Sequence, residues 1–287
     1  MNQKNDHVVI GNMEKRMKKE MLFLMASLLA AGNVFAQDPT YSAATLDEEG
    51  ELAKQLANPL ASLISLPLQY NYDENYGPND DGSVSRLNIQ PVIPFSMNED
   101  WTVITRTIVP LIDQDIPGRS GSGLGDITAS QFFSPAKPTE SGWTWGAGPA
   151  ELLPTATDDA IGAEKWGLGP SAVALRQSGR WTYGGLANHI WSVAGDSDRP
   201  DISATFLQPF VAYVLPTATT LSLASESTYD WKSEQWSVPA NMMVAQMLKL
   251  GPQVFQVAGG VRYWIDSPNN GPEGWGFRLQ VVLLFPK

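Results

Sequence analysis

Gly274-Trp-Gly-Phe-Arg-Leu-Gln-Val-Val-Leu-Leu-Phe285 decides the fold. Every second residue is large and apolar: Trp275, Phe277, Leu279, Val281, Leu283 and Phe285. Between them stand Gly276, Arg278, Gln280, Val282 and Leu284. A strand shows successive side chains to opposite faces, so this segment has one continuous apolar face and one mixed face. In a water-soluble sheet the apolar face looks inward. In an outer-membrane barrel it looks outward to lipid, and the polar face lines the lumen.

The N-terminus predicts export. Lys15, Arg16, Lys18 and Lys19 precede an apolar run from Met21 to Ala31, and Val34-Phe35-Ala36 supplies a small-residue cleavage pattern before Gln37. That is a cleavable secretory signal over residues 1–36. No later segment reaches the ~18 apolar residues of a transmembrane helix, so any membrane span is made of strands. The whole chain holds 19 basic and 30 acidic side chains, of which five and three fall in residues 1–36. The 251 residues that follow therefore carry a net charge of −13, which argues against nucleic acid as a partner. Cysteine is absent, which excludes disulfides and thiolate metal sites.

Residues 37–61 form a separate N-terminal segment, either a periplasmic lead-in or a plug. Leu52 and Leu56 have helical spacing, and Asn58-Pro59 interrupts the helix. From residue 62 to 287 the chain reads as about twelve strands at short, regular spacing. They lie near 62–73, 84–97, 101–113, 126–136, 143–155, 165–177, 181–194, 202–215, 219–231, 236–250, 254–266 and 274–286. Each has the ~10 residues a tilted strand needs to cross the hydrocarbon layer. Faces are clean in some: Leu87, Ile89, Ile93 and Phe95 oppose Arg86, Asn88, Gln90 and Ser96. In the fourth to seventh strands the two faces are not distinguishable from sequence.

The connections mostly alternate, with Lys137–Gly142 slightly longer than the other tight turns and Lys232–Gln235 a short exception among the long ones. Asn98–Asp100, Ser178–Arg180, Pro216–Ala218 and Gly251–Gln253 are tight, whereas Glu74–Ser83, Gln114–Gly125, Ala156–Glu164, Gly195–Asp201 and Ser267–Glu273 are long and rich in Gly, Asp, Asn and Pro. Short periplasmic turns and long external loops are the asymmetry of an outer-membrane barrel. The long-loop end is strongly acidic. An acidic rim can meet lipopolysaccharide through bridging divalent cations, or it is a set of solvated loops. All ten tryptophans fall near strand ends: Trp101, Trp143, Trp145 and Trp181 at the short-turn end, and Trp166, Trp191, Trp231, Trp236, Trp264 and Trp275 at the other. Two aromatic belts are what the two lipid interfaces select.

Together these predict an all-β, antiparallel up-and-down transmembrane β-barrel with a short N-terminal helical or plug segment, in the outer membrane of a Gram-negative envelope. Its partners are then the lipid bilayer and lipopolysaccharide, the outer-membrane insertion machinery, and a small-molecule solute. The aromatic residue closing the last strand resembles the terminal signal that this machinery reads, although Pro286 and Lys287 follow it. Proline cannot complete a ladder hydrogen bond, so Pro91, Pro110, Pro149, Pro170, Pro209 and Pro239 imply bulges and kinks, which could open the wall laterally.

The lumen face is assigned Arg86, Asn88, Gln90, Arg106, Glu226, Gln256, Arg262, Arg278 and Gln280. The four arginines fall on contiguous strands once the barrel closes, with Glu226 on a more distant one. Such an arc can select solutes by its transverse field, or the arginines and Glu226 can pair and stiffen a narrow barrel. The plug residues are Leu52, Leu56, Asn58 and Pro59. No catalytic residue, metal ligand or cofactor is expected, and the chain reads as a non-enzyme. The alternatives are a non-conducting structural barrel and a lipid-modifying enzyme using His189, but Asn188 and His189 point to opposite faces of a strand and cannot orient one another.

Several motifs recur together: Asn58-Pro59, Gln90-Pro-Val-Ile-Pro94, Arg106-Thr-Ile-Val-Pro110, Gly123-Leu-Gly-Asp126, Gly146-Ala-Gly-Pro149, Trp166-Gly-Leu-Gly-Pro170, Asn188-His-Ile-Trp-Ser192 and the ending Phe285-Pro-Lys287. This set resembles a bacterial outer-membrane family labelled "transporter", often mislabelled neuromedin U, and is similar to outer-membrane proteins of the MetA pathway of phenol degradation. The resemblance implies an outer-membrane barrel with an uptake role for apolar or aromatic compounds. It implies no catalytic residues.

Overall fold

The computed structural model describes residues 43–251 and 253–285, with side chains from residue 47. The cleavable signal over 1–36 lies outside the described residues. One helix, α1 (Ala43–Leu56), precedes fifteen strand segments. These are β1 (Ile64–Tyr76), β2 (Gly82–Ile89), β3 (Val92–Ser96), β4 (Trp101–Asp115), β5 (Gly121–Leu124), β6 (Ile127–Pro135), β7 (Trp143–Leu153) and β8 (Lys165–Ser178). They continue as β9 (Trp181–Gly195), β10 (Ser203–Val214), β11 (Thr219–Ser225), β12 (Ser227–Asp230), β13 (Gln235–Leu250), β14 (Gln253–Asp266) and β15 (Gly274–Phe285). Three pairs (β2/β3, β5/β6 and β11/β12) are halves of one interrupted strand, so the barrel has twelve staves, as the spacing predicts.

Neighbouring staves are antiparallel, and the first pairs with the last. Leu66, Leu68, Tyr70 and Tyr72 stand opposite Leu283, Val281, Leu279 and Phe277. All eight share the outer face, so the closing seam presents a continuous apolar surface. On the other face Arg278 is 5% exposed, whereas Leu279 beside it is 40% exposed. The period-two pattern of the last strand therefore turns its apolar side outward, the orientation a hydrocarbon solvent selects.

Nine of the ten tryptophans are exposed on that outer face, in the two predicted belts. Each belt is knitted by ring contacts, within and between strands. Trp101 meets Trp145 edge-on at 6.1 Å and Trp181 meets Tyr213 at 4.7 Å near the short turns, while Tyr229 touches both Trp231 and Trp236 at 4.9 Å near the long loops. Trp264 departs from the pattern. It faces the lumen, donates from Nε1 to Asp73 Oδ1 at 2.9 Å, and lies under the Arg262 guanidinium at 4.8 Å. Asp73, next to the acidic Glu74–Ser83 loop, is likewise buried on the inner wall.

The six awkward prolines sit at irregularities. Pro91 separates β2 from β3, and the β13–β14 register shifts between Val238 and Pro239. Pro149 and Pro170 face each other across β7 and β8. Beside them, pairing of β6 with β7 lapses between Ser130↔Ala150 and Phe133↔Ala147. Pairing of β8 with β9 lapses between Leu168↔Trp191 and Ser171↔Asn188. Missing N–H donors account for the position of each lapse. On the outer wall of the same zone, between the two belts, Gln131 Nε2 donates to Glu151 Oε2 at 3.0 Å.

The staves whose faces were ambiguous in sequence prove to be lined inside by apolar residues. Leu60, Ile104, Phe132, Val173, Leu175 and Leu186 form one buried cluster within the barrel. In β8 the inner residues Val173 and Leu175 alternate with small apolar outer residues, Ala172 and Ala174. Both faces are apolar there, which is why alternation alone could not assign them.

Candidate functional site

The lumen is divided lengthwise into an ionic wall and an apolar wall. The ionic wall is built by β14, β15, β1, β2 and β4, which are consecutive staves. Arg278 reaches across to Glu226, between β11 and β12. Its Nη1 and Nη2 lie 2.9 and 2.6 Å from the two carboxylate oxygens, and its Nε donates to Asn71 Oδ1 at 2.7 Å. Arg262 donates to the same Asn71 oxygen at 3.2 Å and forms an ion pair with Asp73 at 3.3 Å. Arg262, Arg278, Asn71 and Asp73 are all buried. Buried charges are tolerated only when matched in this way, and here one donor stays short of a hydrogen bond: Arg262 Nε pairs with Asp73 by charge alone. Bidentate pairing also suits the planar guanidinium fork.

A second polar chain adjoins the first. Arg106 Nη2 donates to Gln90 Oε1 at 3.1 Å, and Gln90 Nε2 donates to Gln69 Oε1 at 2.7 Å. Of the nine residues assigned to the lumen from sequence, seven lie on inward-facing strand positions and two, Gln90 and Glu226, at the breaks between β2 and β3 and between β11 and β12; they do not act alike. Arg262, Arg278 and Glu226 join one network; Gln90 and Arg106 join the second. Gln256 turns its amide to Met247 Sδ at 3.7 Å, and Gln280 lines the lower cavity. Arg86 and Asn88 follow the same face of β2 without entering either chain of hydrogen bonds. The residues that sequence reading missed are Gln69, Asn71 and Asp73. Their signal was present: they alternate with Leu68, Tyr70 and Tyr72 at period two.

Two inner cavities meet at Arg106. The lower, about 280 Å³, lies between the ionic network and the segment after α1, and is lined by Leu56, Asn58, Pro59, Glu226 and Arg278 among others. The upper, about 340 Å³, is lined by Ile108, Leu152, Ile190, Ile202 and Phe206, with Thr128, Ser130, Asn188 and Thr228 as uncharged polar members. Arg106 lines both. Above them a vestibule of about 1080 Å³ opens toward the long loops.

The loop over 154–164 is fastened beside that vestibule. Asp126 accepts from the backbone N–H of Ala156 at 3.1 Å and of Ala163 at 2.6 Å. Arg119 Nε donates to Ala160 O at 3.0 Å, and Arg199 donates to Asp159 O and Gly162 O while pairing with Glu164 at 3.3 Å. Several acidic side chains of the long loops thus serve local structure. Among the described residues, no group of three or more His, Asp or Glu is placed to hold a metal ion.

At the short-turn end α1 lies inside the barrel. Ala53 is buried against Val214, Met247, Val282 and Leu284, with Leu52 and Leu56 packed around them. Gln177 Nε2 donates to Lys54 O at 2.8 Å. Asn58 Oδ1 accepts from the Leu60 N–H at 2.8 Å, turning the chain so that Leu60 enters the apolar cluster. Pro59 disfavours helix at Asn58 and sets the turn.

His189 is on the outer wall, in tilted ring contact with Trp191 at 4.0 Å. Its Nδ1 lies 2.7 Å from Thr205 Oγ1 and its Nε2 3.4 Å from Ser203 Oγ. Thr205 Oγ1 also accepts from Trp231 Nε1 at 2.8 Å. Asn188 is on the opposite, luminal side, as strand parity requires.

No family model matches the chain, and no curated protein does. The fold is that of outer-membrane barrels. It is similar to the COG4313 outer membrane channel from Pseudomonas putida F1, at 16% identity and TM-score 0.60, covering 78% of this chain and 96% of that one. The NanC porin is matched at 9% identity and TM-score 0.49, covering 78% and 100%. Outer membrane phospholipase A from Escherichia coli is also matched, at 13% identity and TM-score 0.47, covering 82% and 98%. The expectation of a non-enzyme is therefore withdrawn: likeness at this identity shows the fold alone, and this fold leaves enzymatic status open.

Proposed function

We propose that the protein is a passive outer-membrane channel for small molecules, driven by the solute gradient. The observation that carries this reading is the run of cavities through the barrel: the vestibule shares Leu152 and Ile202 with the upper cavity, which meets the lower one at Arg106. Rings of charged side chains at a narrow point are how pores discriminate among solutes. The motifs shared with the transporter family of the phenol-degradation type support an apolar or aromatic solute. Leu52, Leu56, Asn58 and Pro59 act as a plug that must shift for passage to the periplasm. The acidic loops meet lipopolysaccharide in the outer leaflet. Single-channel recording in planar bilayers tests the proposal: discrete conductance steps are expected, and a protein that stays silent both with and without residues 37–61 is a structural barrel instead.

A second reading, a lateral exit for apolar solutes, is supported by the lapsed pairing beside Pro149 and Pro170. Glu151 lies on the outer wall there, and charged side chains facing lipid are costly and seldom retained without a role. Bridging β6 to β7 with Ser130→Cys and Ala150→Cys tests it. The exit predicts that oxidation stops transfer of an apolar dye into the bilayer and spares ion conductance; equal transfer before and after oxidation removes this reading.

A further inference from the structure

The arginines of the lumen are not equally matched. Arg278 spends its fork on Glu226 and its Nε on Asn71, and Arg262 is held by Asp73 and Asn71. Arg106 has no carboxylate partner among the described residues. Its one hydrogen bond to a side chain is with the neutral Gln90. A guanidinium carries five N–H donors, so most of those on Arg106 remain available to a solute. Glu226 also faces the lower cavity, but both its oxygens are already engaged by Arg278.

What lies above Arg106 is apolar except for Thr128, Ser130, Asn188 and Thr228. Ile108, Leu152, Ile190, Ile202 and Phe206 converge from β4, β7, β9 and β10 and the approach to β10. They converge because the inner positions of these staves carry branched and aromatic residues where β14, β15 and β1 carry Arg, Gln and Asn. The resulting chamber, about 340 Å³, is at the small end of the roughly 300–1,000 Å³ of small-molecule sites. It suits one ring or a short chain. An apolar chamber with a single available cation at its floor is complementary to a molecule with a compact apolar body and one anionic end.

We infer that Arg106 and the chamber above it form a binding site for small amphipathic monoanions, of the chemical class of aromatic carboxylates, with the carboxylate on Arg106 and the ring against Ile190 and Phe206. The inference rests on the channel reading for its use in passage, whereas occupancy of the site does not depend on conductance. Simple inorganic anions gain the charge interaction without the apolar contact, and neutral aromatics the reverse. Preference for the combination is the signature of the site.

The test uses the full mature chain, refolded in detergent micelles, with benzoate as the probe and acetate and benzyl alcohol as its two half-molecules. Folding of every variant is checked by the retarded gel migration of the heated against the unheated barrel. Calorimetric titration is expected to show benzoate binding at least tenfold tighter than either half-molecule. Arg106→Gln should weaken benzoate about tenfold or more, the scale of a lost charge-assisted hydrogen bond, and Arg106→Lys should restore part of it. Phe206→Ala should weaken benzoate and leave acetate unchanged. Benzoate bound no better than acetate, or equally by wild type and Arg106→Gln, overturns the site. Planar-bilayer recording of the same preparations separates the two proposals. Conductance without benzoate preference sinks the site and spares the channel; binding without conductance sinks the channel and spares the site.

Discussion

Arg278 holds Glu226 in a fork, with Nη2 2.6 Å and Nη1 2.9 Å from its two oxygens, and so ties β15 to the junction of β11 and β12. The pair spans the inner faces of β13 and β14. Removing one member strands the other charge inside the barrel. Glu226→Ala is therefore expected to destabilise the barrel by about 3–5 kcal/mol, the cost of breaking a buried pair from one side. The double substitution Glu226→Leu with Arg278→Met should recover much of that loss, since apolar isosteres relieve both desolvation penalties. Urea unfolding of the three proteins in lipid vesicles checks this. Equal stability of Glu226→Ala and wild type would place the pair in water rather than in a dry wall.

How much of this was legible in the sequence depends on what each side chain had to contrast with. The last strand gave its two faces away because Arg278 and Gln280 interrupt an otherwise apolar row. The eighth, with Ala172 outside and Val173 inside, offers no such contrast, and only the closed register assigns it. Regular strand spacing revealed the strand number, and the tryptophans marked the strand ends, nine of the ten on the outer face. Pairing within the lumen was not legible. Asp73 and Arg262 are 189 positions apart and meet only after β1 and β14 are drawn onto either side of β15. Trp264 misled for a related reason: its position near a strand end fits a belt, but parity with Arg262 sends it inward.

That inward placement separates Trp264 from its nine relatives experimentally. Replacing each tryptophan except one by phenylalanine gives a set of single-tryptophan barrels. With brominated acyl chains as quenchers, Trp236 and Trp275 should lose most of their emission, while Trp264, held to Asp73 and Arg262, should retain it. Strong quenching of Trp264 by lipid would return it to the belt. In the wild-type background, Trp264→Phe should cost about 1–3 kcal/mol, because Asp73 loses a buried donor.

The mouth of the barrel carries a pH-dependent clasp. Lys165, buried at the start of β8, donates from Nζ to Asp201 Oδ1 at 3.1 Å, and Ser192 Oγ donates to the same oxygen at 3.2 Å. The hydrogen bond from Lys165, then that from Ser192, hold the Asp201 carboxyl below the usual carboxylate range. A carboxyl whose folded-state pKa is depressed stabilises the fold fully above its unfolded value of about 3.9, and that stabilisation is lost as pH falls through the folded value. The thermal midpoint of Asp201→Asn should therefore lie below that of wild type by a constant margin from pH 7 to about pH 5, and the two should converge in more acid solution. A margin that widens below pH 4 contradicts the sign.

The inner helix makes the last prediction. Ala53 is 1% exposed, Leu52 and Leu56 pack onto the same cluster, and Leu60 is 7% exposed among Ile104, Phe132 and Leu175. Full burial of one such leucine contributes roughly 1.5–3 kcal/mol, enough to hold the segment in place by several contacts at once. The barrel ladder itself closes without it, since β1 pairs β15 directly. Deleting residues 37–61 should thus leave a folded barrel whose lower cavity opens at the short-turn end. Leu56→Asp, which sets a charge against Met247 and Val282, should loosen the segment and leave its length unchanged. In planar bilayers the deletion is expected to raise single-channel conductance several-fold, and Leu56→Asp to produce flicker between the wild-type and the deleted levels. If the deleted barrel folds and conducts as the wild type does, α1 does not obstruct the path, and passage runs through the wall or not at all.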